Sequence, residues 1–131
     1  MLFRSNLQVG GSAVNGWAFS TFGSAERGSP TARFFAQFKN KFGASPDGTY
    51  PALGYDTIKV LEAAVLKAGS TDPKKIAAVL SRGLTVRGAL GPVRYLGHGR
   101  HNPTNLVVVD QIRGGKFVKV LKSVPKKVPA P

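Results

Sequence analysis

The chain has 131 residues, 42% of them hydrophobic and 19% charged, with 16 glycines, 9 prolines and no cysteine. That suits one ordered domain or a piece of a larger one, and it excludes disulfides, thiolate metal sites and cysteine nucleophiles. The formal net charge is +13, yet no apolar run approaches the roughly 20 residues that a membrane helix needs.

Leu2-Phe3-Arg4-Ser5 is what CTC TTC CGA TCT encodes, a string common at the end of sequencing adapters, so residues 1–5 are expected to be a non-native scar. Residues 6–12 are polar and glycine-rich. From Ala13 to Ser20 the spacing of Trp17 and Phe19 at period two predicts a strand. Ser29-Pro30 supplies a hydroxyl cap and a first-turn proline for a helix carrying Phe34, Phe35, Phe38 and Phe42, closed by Gly43. Those four rings are expected to form a core face.

A turn at Pro46-Asp47-Gly48 leads to a longer helix from Tyr50 or Pro51 to Ala68, closed by Gly69. Its expected buried side carries Tyr55, Ile58, Leu61, Ala64, Val65 and Ala68. Asp72-Pro73 repeats the cap-then-proline grammar for a third helix, with Ile76, Ala77 and Leu80 inward and Gly83 beyond its end. After Gly83 the period becomes strand-like. Gly91–Tyr95 is a short strand, residues 97–103 are a loop, and Leu106–Ile112 returns through Gly114-Gly115 to Phe117–Val120 as a β-hairpin. Ser123 to Pro131 reads as an extended Pro/Lys/Val tail. Three helices and about four strands do not close a core by any obvious arrangement, which points to part of an α/β protein.

The basicity lies in the C-terminal half. Before Pro73 seven basic residues face five acids; from Pro73 onward twelve face the single acid Asp110. A nucleic-acid module pairs such charge with a recognition helix or stacking aromatics, and this half holds only Tyr95 and Phe117. Enzyme motifs are absent: there is no P-loop, dinucleotide fingerprint, nucleophile elbow or H-E-x-x-H. His98 and His101 are spaced H-x-x-H in a glycine-rich loop with no further ligand nearby in sequence, so they are expected to be a solvated pair. Asp72 caps a helix, Asp47 sits in a turn, Asp56 suits the positive end of a helix, and Lys59 and Glu62 suit a weak surface pair. No catalytic residue, metal or cofactor is assigned.

The run Pro46-Asp47-Gly48-Thr49-Tyr50-Pro51-Ala52-Leu53-Gly54-Tyr55-Asp56, with its apolar helix ending Lys67-Ala68-Gly69-Ser70-Thr71-Asp72-Pro73, resembles the C-terminal part of type I periplasmic solute-binding proteins, the branched-chain amino-acid (Leu/Ile/Val) binding family of ABC transporters. Gly16–Ser20, the Phe34–Phe42 helix, Gly88–Tyr95 and Gly115-Lys116-Phe117-Val118 fit the same family in order. The resemblance covers about residues 13–121.

It implies an α/β fold of two lobes joined by three crossings, with a ligand between them. Residues 6–22 would end the second lobe and make a crossing, 23–88 would form the helical layer of the first, and 89–121 would return to the second, before a basic tail at 122–131. The earlier part of the family's chain, with its export signal and its main polar ligand contacts, would lie outside this sequence. The resemblance implies a substrate-binding subunit of an ABC importer, periplasmic or extracellular, that takes a branched-chain amino acid or a related small amide or organic anion and works with ABC permease subunits. It puts Tyr50 where the family has a pocket-lining aromatic, with Phe19 at the hinge strand as a second ligand-binding candidate. Pro51 departs from the family's usual small residue. The alternatives are a small basic module for nucleic acid or an anionic surface, and a sensory or regulatory protein of the same fold.

Overall fold

The computed structural model describes residues 7–46, 48–98 and 102–127. Residues 7–10 are helical and run into a 3-10 turn at Gly11–Val14. Then follow β1 (Ala18–Phe22), α1 (Pro30–Phe42), α2 (Tyr50–Ala68), α3 (Pro73–Arg82), β2 (Leu84–Gly88), β3 (Gly91–Tyr95), β4 (Pro103–Thr104), β5 (Val107–Arg113) and β6 (Lys116–Ser123). The six strands form two antiparallel sheets, in the orders β1-β5-β6 and β2-β3-β4. This is a mixed α/β fold.

The helix punctuation acts as the residue types dictate. Ser29 Oγ accepts from the Ala32 N–H at 3.0 Å, and Asp72 Oδ1 accepts from Lys74 N–H at 2.7 Å, each satisfying an otherwise orphaned donor of the first turn. Gly43 and Gly69 end α1 and α2 at φ of 76° and 58°, where a side chain would be strained. Gly114 and Gly115, both at positive φ, make the tight β5–β6 turn.

The expected strand from Ala13 is shorter than its pattern. Val14 is buried in the 3-10 turn, and Gly16 at φ 91° breaks the extended run, so β1 starts at Ala18. Pairing with β5 still reaches back, because Gly16 N–H donates to Ile112 O and Ile112 N–H to Trp17 O. The number of strands also exceeds expectation: β2 and the two-residue β4 are additional.

The sheet β2-β3-β4 packs on the helices. Val60 of α2, Val86 of β2 and Val93 of β3 form one buried cluster, joined by Ala63, Leu80, Leu84 and Tyr95. Burial raises the Tyr95 phenol above its ordinary value. β3 and β4 stay on the helices, and only β5 and β6 join β1.

The buried side of α2 also differs from expectation. It is made by Ala52, Asp56, Val60 and Ala64, whereas Ile58 is 63% exposed and Leu61 48%. α2 is apolar on two sides, and periodicity cannot choose between them. The small residues Ala52 and Ala64 let the β2–β3 hairpin approach closely, and Asp56 in their midst disguised that side as polar. Its role is not the helix-dipole one expected. Asp56 is 4% exposed, and its two oxygens accept from Ala89 N–H at 2.5 Å and Leu90 N–H at 3.0 Å, gripping the hairpin turn. Gly88 has no room for a side chain, since a Cβ there would lie 2.5 Å from Asp56 Oδ2. From α1, Thr31 Oγ1 donates to Ala89 O at 3.0 Å.

The phenylalanine stripe of α1 is a core face only in part. Phe34 packs against Ala52, Ala89 and Leu90 and lies 5.4 Å from the Tyr55 ring, but Phe42 is 61% exposed. Lys59 and Glu62 form the expected surface pair at 2.6 Å, and that hydrogen bond raises the Lys59 ammonium above its ordinary value. Residues 1–5, Asp47 and His101 lie outside the described residues, as do residues 128–131 of the tail.

Candidate functional site

A cleft of about 460 Å³ separates the face of the β1-β5-β6 sheet from the start of α1 and the entry to α2. Its volume falls within the roughly 300–1,000 Å³ usual for small-molecule sites. Both residues singled out from the sequence line it, from opposite sides. Phe19 projects from β1, and Tyr50 stands at the first position of α2 with its side chain free enough to be 65% exposed. Phe19 stacks edge-on with Phe117 of β6 at 6.3 Å, and Phe35 of α1 adds to the opposite wall.

Position on the sheet follows from register. Ala18↔Gln111, Phe19↔Asp110 and Thr21↔Val108 pair β1 with β5, and Asp110↔Lys119 pairs β5 with β6. Directly paired residues share a face, so Phe19, Asp110 and Lys119 stand abreast on the cleft side. A bulge between Val109 and Asp110 shifts the β5–β6 register and brings Lys122 to the same side.

The chain passes between the β1-β5-β6 sheet and the helices at residues 23–29, where Gly23, Ser24, Ala25 and Glu26 line the cleft, and again at residues 105–106. The two passages are tied together where Gly23 N–H donates to Leu106 O at 3.1 Å. Gly23 is obligatory: at φ 72° its Cβ would meet Leu90 Cδ2 at 2.7 Å and Thr31 Oγ1 at 2.9 Å. Thr21 Oγ1 of β1 and Thr49 Oγ1, just before α2, share a hydrogen bond of 3.4 Å across the cleft.

The polar rim was missed from the sequence. Lys119 Nζ donates to Ser24 Oγ at 2.6 Å and to Glu26, whose other oxygen accepts from Lys122 at 3.1 Å. Hydrogen bonds from Lys119 and then Lys122, followed by the charges of the same two groups, hold the Glu26 carboxyl below its ordinary value of 4.5. Only the β6 register and the loop length put these residues together, and neither is visible in a linear pattern. Among the described residues no group of three or more His, Asp or Glu could hold a metal ion, and no helix is long and apolar enough to cross a membrane.

A cleft of this volume between a three-stranded sheet and a helical layer can hold a small solute. Residues 3–116 match a family model of periplasmic binding proteins. The chain belongs to the periplasmic binding protein family. This family consists of solute-binding proteins. Among solved structures of the fold, a leucine binding protein from Thermotoga maritima is similar with a TM-score of 0.70 and 29% identity, over 91% of this chain and 34% of that one. A substrate-binding protein of an ABC transporter from Desulfitobacterium hafniense, in complex with Leu, gives a TM-score of 0.64 and 23% identity over 91% and 39%. A solute binding protein from R. palustris in complex with benzoate gives 0.62 and 21% over 92% and 33%. The periplasmic binding protein chain described here thus spans between a third and two fifths of the length of these relatives. A comparison with curated proteins finds no match.

Proposed function

We propose that the chain is the closing portion of a two-lobed substrate-binding subunit of an ABC importer, acting in the periplasm or outside the cell. In this reading a branched-chain amino acid or a related small amide or organic anion is held in the cleft, and the walls close on it. The observation that carries the reading is the cleft itself: Phe19 and Tyr50 face it from two sides, in a chain of a solute-binding family. Phe19, Phe117 and Phe35 supply apolar contact, and Tyr50 adds a ring with one hydrogen-bonding phenol. The β1-β5-β6 sheet belongs to one lobe in this proposal, and the helices with β2-β3-β4 to the other.

The basic-module alternative loses support from the same geometry. Lys119 and Lys122 are engaged by Glu26, and the two aromatics of the basic half are engaged within the fold, Tyr95 against the core cluster and Phe117 on the cleft wall. Calorimetric titration of the gene product with leucine, isoleucine, valine and benzoate tests the proposal. Saturable binding of at least one, lost on Tyr50→Ala, is the expected result. Binding of mixed-sequence DNA or RNA that falls steeply with salt, with none of the solutes bound, would replace it with the alternative. Permease and ATPase genes beside this one would favour transport over sensing.

A further inference from the structure

A second cavity, of about 200 Å³, lies behind the β1-β5-β6 sheet. Phe22 and Val107 are register partners and share a face, whereas Thr21 and Val108, one position along, stand on the cleft face. Val107 lines the second cavity and not the cleft, and Phe22, the last residue of β1, borders both. Pro103 of β4 closes another side, and Pro125, beyond β6, a further one. The walls thus come from both sheets, and Asn105, in the passage from β4 to β5, stands between them.

This cavity has one polar atom in need of a partner. Asn105 Oδ1 is buried and accepts no hydrogen bond among the described residues. Burying an acceptor unpaired costs free energy that an incoming donor recovers. The Thr104 hydroxyl does not supply it, because it donates to Arg94 O at 3.4 Å. Exposed Lys127 adds a positive charge at the edge of the cavity. In size, the space exceeds the roughly 150 Å³ of an apolar cavity that takes a benzene ring.

We propose that this cavity is a second small-molecule site, separate from the cleft, and that it takes a small apolar alcohol or phenol whose hydroxyl donates to Asn105 Oδ1. Phe22, Pro103, Val107 and Pro125 receive the apolar body, and the hydroxyl supplies the missing donor. An ammonium group would also donate to that oxygen, but Lys127 repels it, so a neutral O–H is selected over an amine. The site stands whatever the cleft holds.

The test is an NMR titration of the gene product with phenol, with toluene, which has a ring of similar size but no donor, and with benzylamine, which carries an ammonium. Phenol is expected to shift the amides of Asn105 and Val107 saturably. It should bind roughly fivefold or more tightly than either other probe, the scale of one hydrogen bond. Asn105→Leu, which replaces the acceptor with an apolar group of similar size, should bring phenol down to the affinity of toluene. Tyr50→Ala, which alters the cleft and not the second cavity, should leave phenol binding unchanged. The comparison of probes on the parent chain needs no variant, so it decides even where Asn105→Leu fails to fold. Equal affinity for phenol and toluene, benzylamine binding as tightly as phenol, an Asn105→Leu protein that folds and binds phenol like the parent, or loss of phenol binding in Tyr50→Ala overturns the inference. So does the absence of shifts at Asn105 and Val107. Each of these outcomes leaves the solute-binding reading of the cleft as it stands.

Discussion

Replacing Asp56 by alanine is expected to release the β2–β3 hairpin from the helices. The carboxylate accepts two backbone N–H groups, from Ala89 and Leu90, in a site where it is almost fully buried. Hydrogen bonds to a charged group contribute about 1.5–3 kcal/mol each, and an orphaned buried donor costs a similar amount. Losing both therefore gives a destabilisation of about 3–6 kcal/mol, which is large beside the usual single substitution. Asp56→Asn keeps one acceptor oxygen but turns an NH₂ toward the second N–H, so it should fall between alanine and the parent. The assay is urea unfolding followed by circular dichroism, with amide exchange at Ala89 and Leu90 as the local readout. Glu62→Ala, on the exposed side of the same helix, is the control. If Asp56→Ala shifts the urea midpoint no more than the control, or leaves both amides as protected as before, the grip described here is not what holds the hairpin.

Three further outcomes follow from other contacts. Because Glu26 is held below its ordinary value of 4.5, its attachment to Lys119 and Lys122 is complete above that pH and is lost as pH falls through the lower folded value; Glu26→Gln should flatten this acid loss in a pH series of melting temperatures, and an unchanged profile would contradict it. Gly23→Ala places a Cβ at 2.7 Å from Leu90 Cδ2 at a positive φ, so a cost of about 2–4 kcal/mol is expected in urea unfolding, against near-neutrality for Ala at exposed, α-helical Gly54, where nothing lies within 4 Å. The 131-residue chain on its own is expected to melt broadly and to enhance the fluorescence of an apolar dye, given exposed Phe42, Ile58 and Leu61; one sharp calorimetric transition without dye binding would refute this.

What could be read from the sequence was whatever is encoded locally. Ser29-Pro30, Asp72-Pro73, Gly43 and Gly69 each act within one turn of chain, and the helix ends fall where they say. The Gly114-Gly115 turn likewise fixes the β5–β6 hairpin without help from elsewhere. The resemblance carried Tyr50 and Phe19, which come together only because the β1 strand and the start of α2 flank one cleft. Choices made by distant partners were not legible. Which side of α2 is buried depends on the hairpin that docks there, and Asp56 is polar for that hairpin's two N–H groups. Asp110, Glu26 and Lys119 are separated by up to 93 positions in sequence, and a one-residue bulge decides which way Lys119 and Lys122 point.

The two apolar sides of α2 explain how a chain with so much exposed hydrophobic surface keeps a defined arrangement. A helix that is apolar all round is normally covered all round, and here one side meets the β2–β3 hairpin while Ile58 and Leu61 stand open. Position on the covered side is fixed by directional contacts rather than by area. The Asp56 carboxylate can accept from Ala89 and Leu90 in one register only, Thr31 fixes the Ala89 carbonyl from a different helix, and Gly88 admits no slippage toward Asp56. Those three constraints meet at a single turn, which also packs against the obligatory Gly23 of the crossing. The geometry of the cleft is thus set by the same turn that holds the helices, so a substitution at Asp56 or Thr31 should disturb the position of Tyr50 relative to Phe19 without touching either.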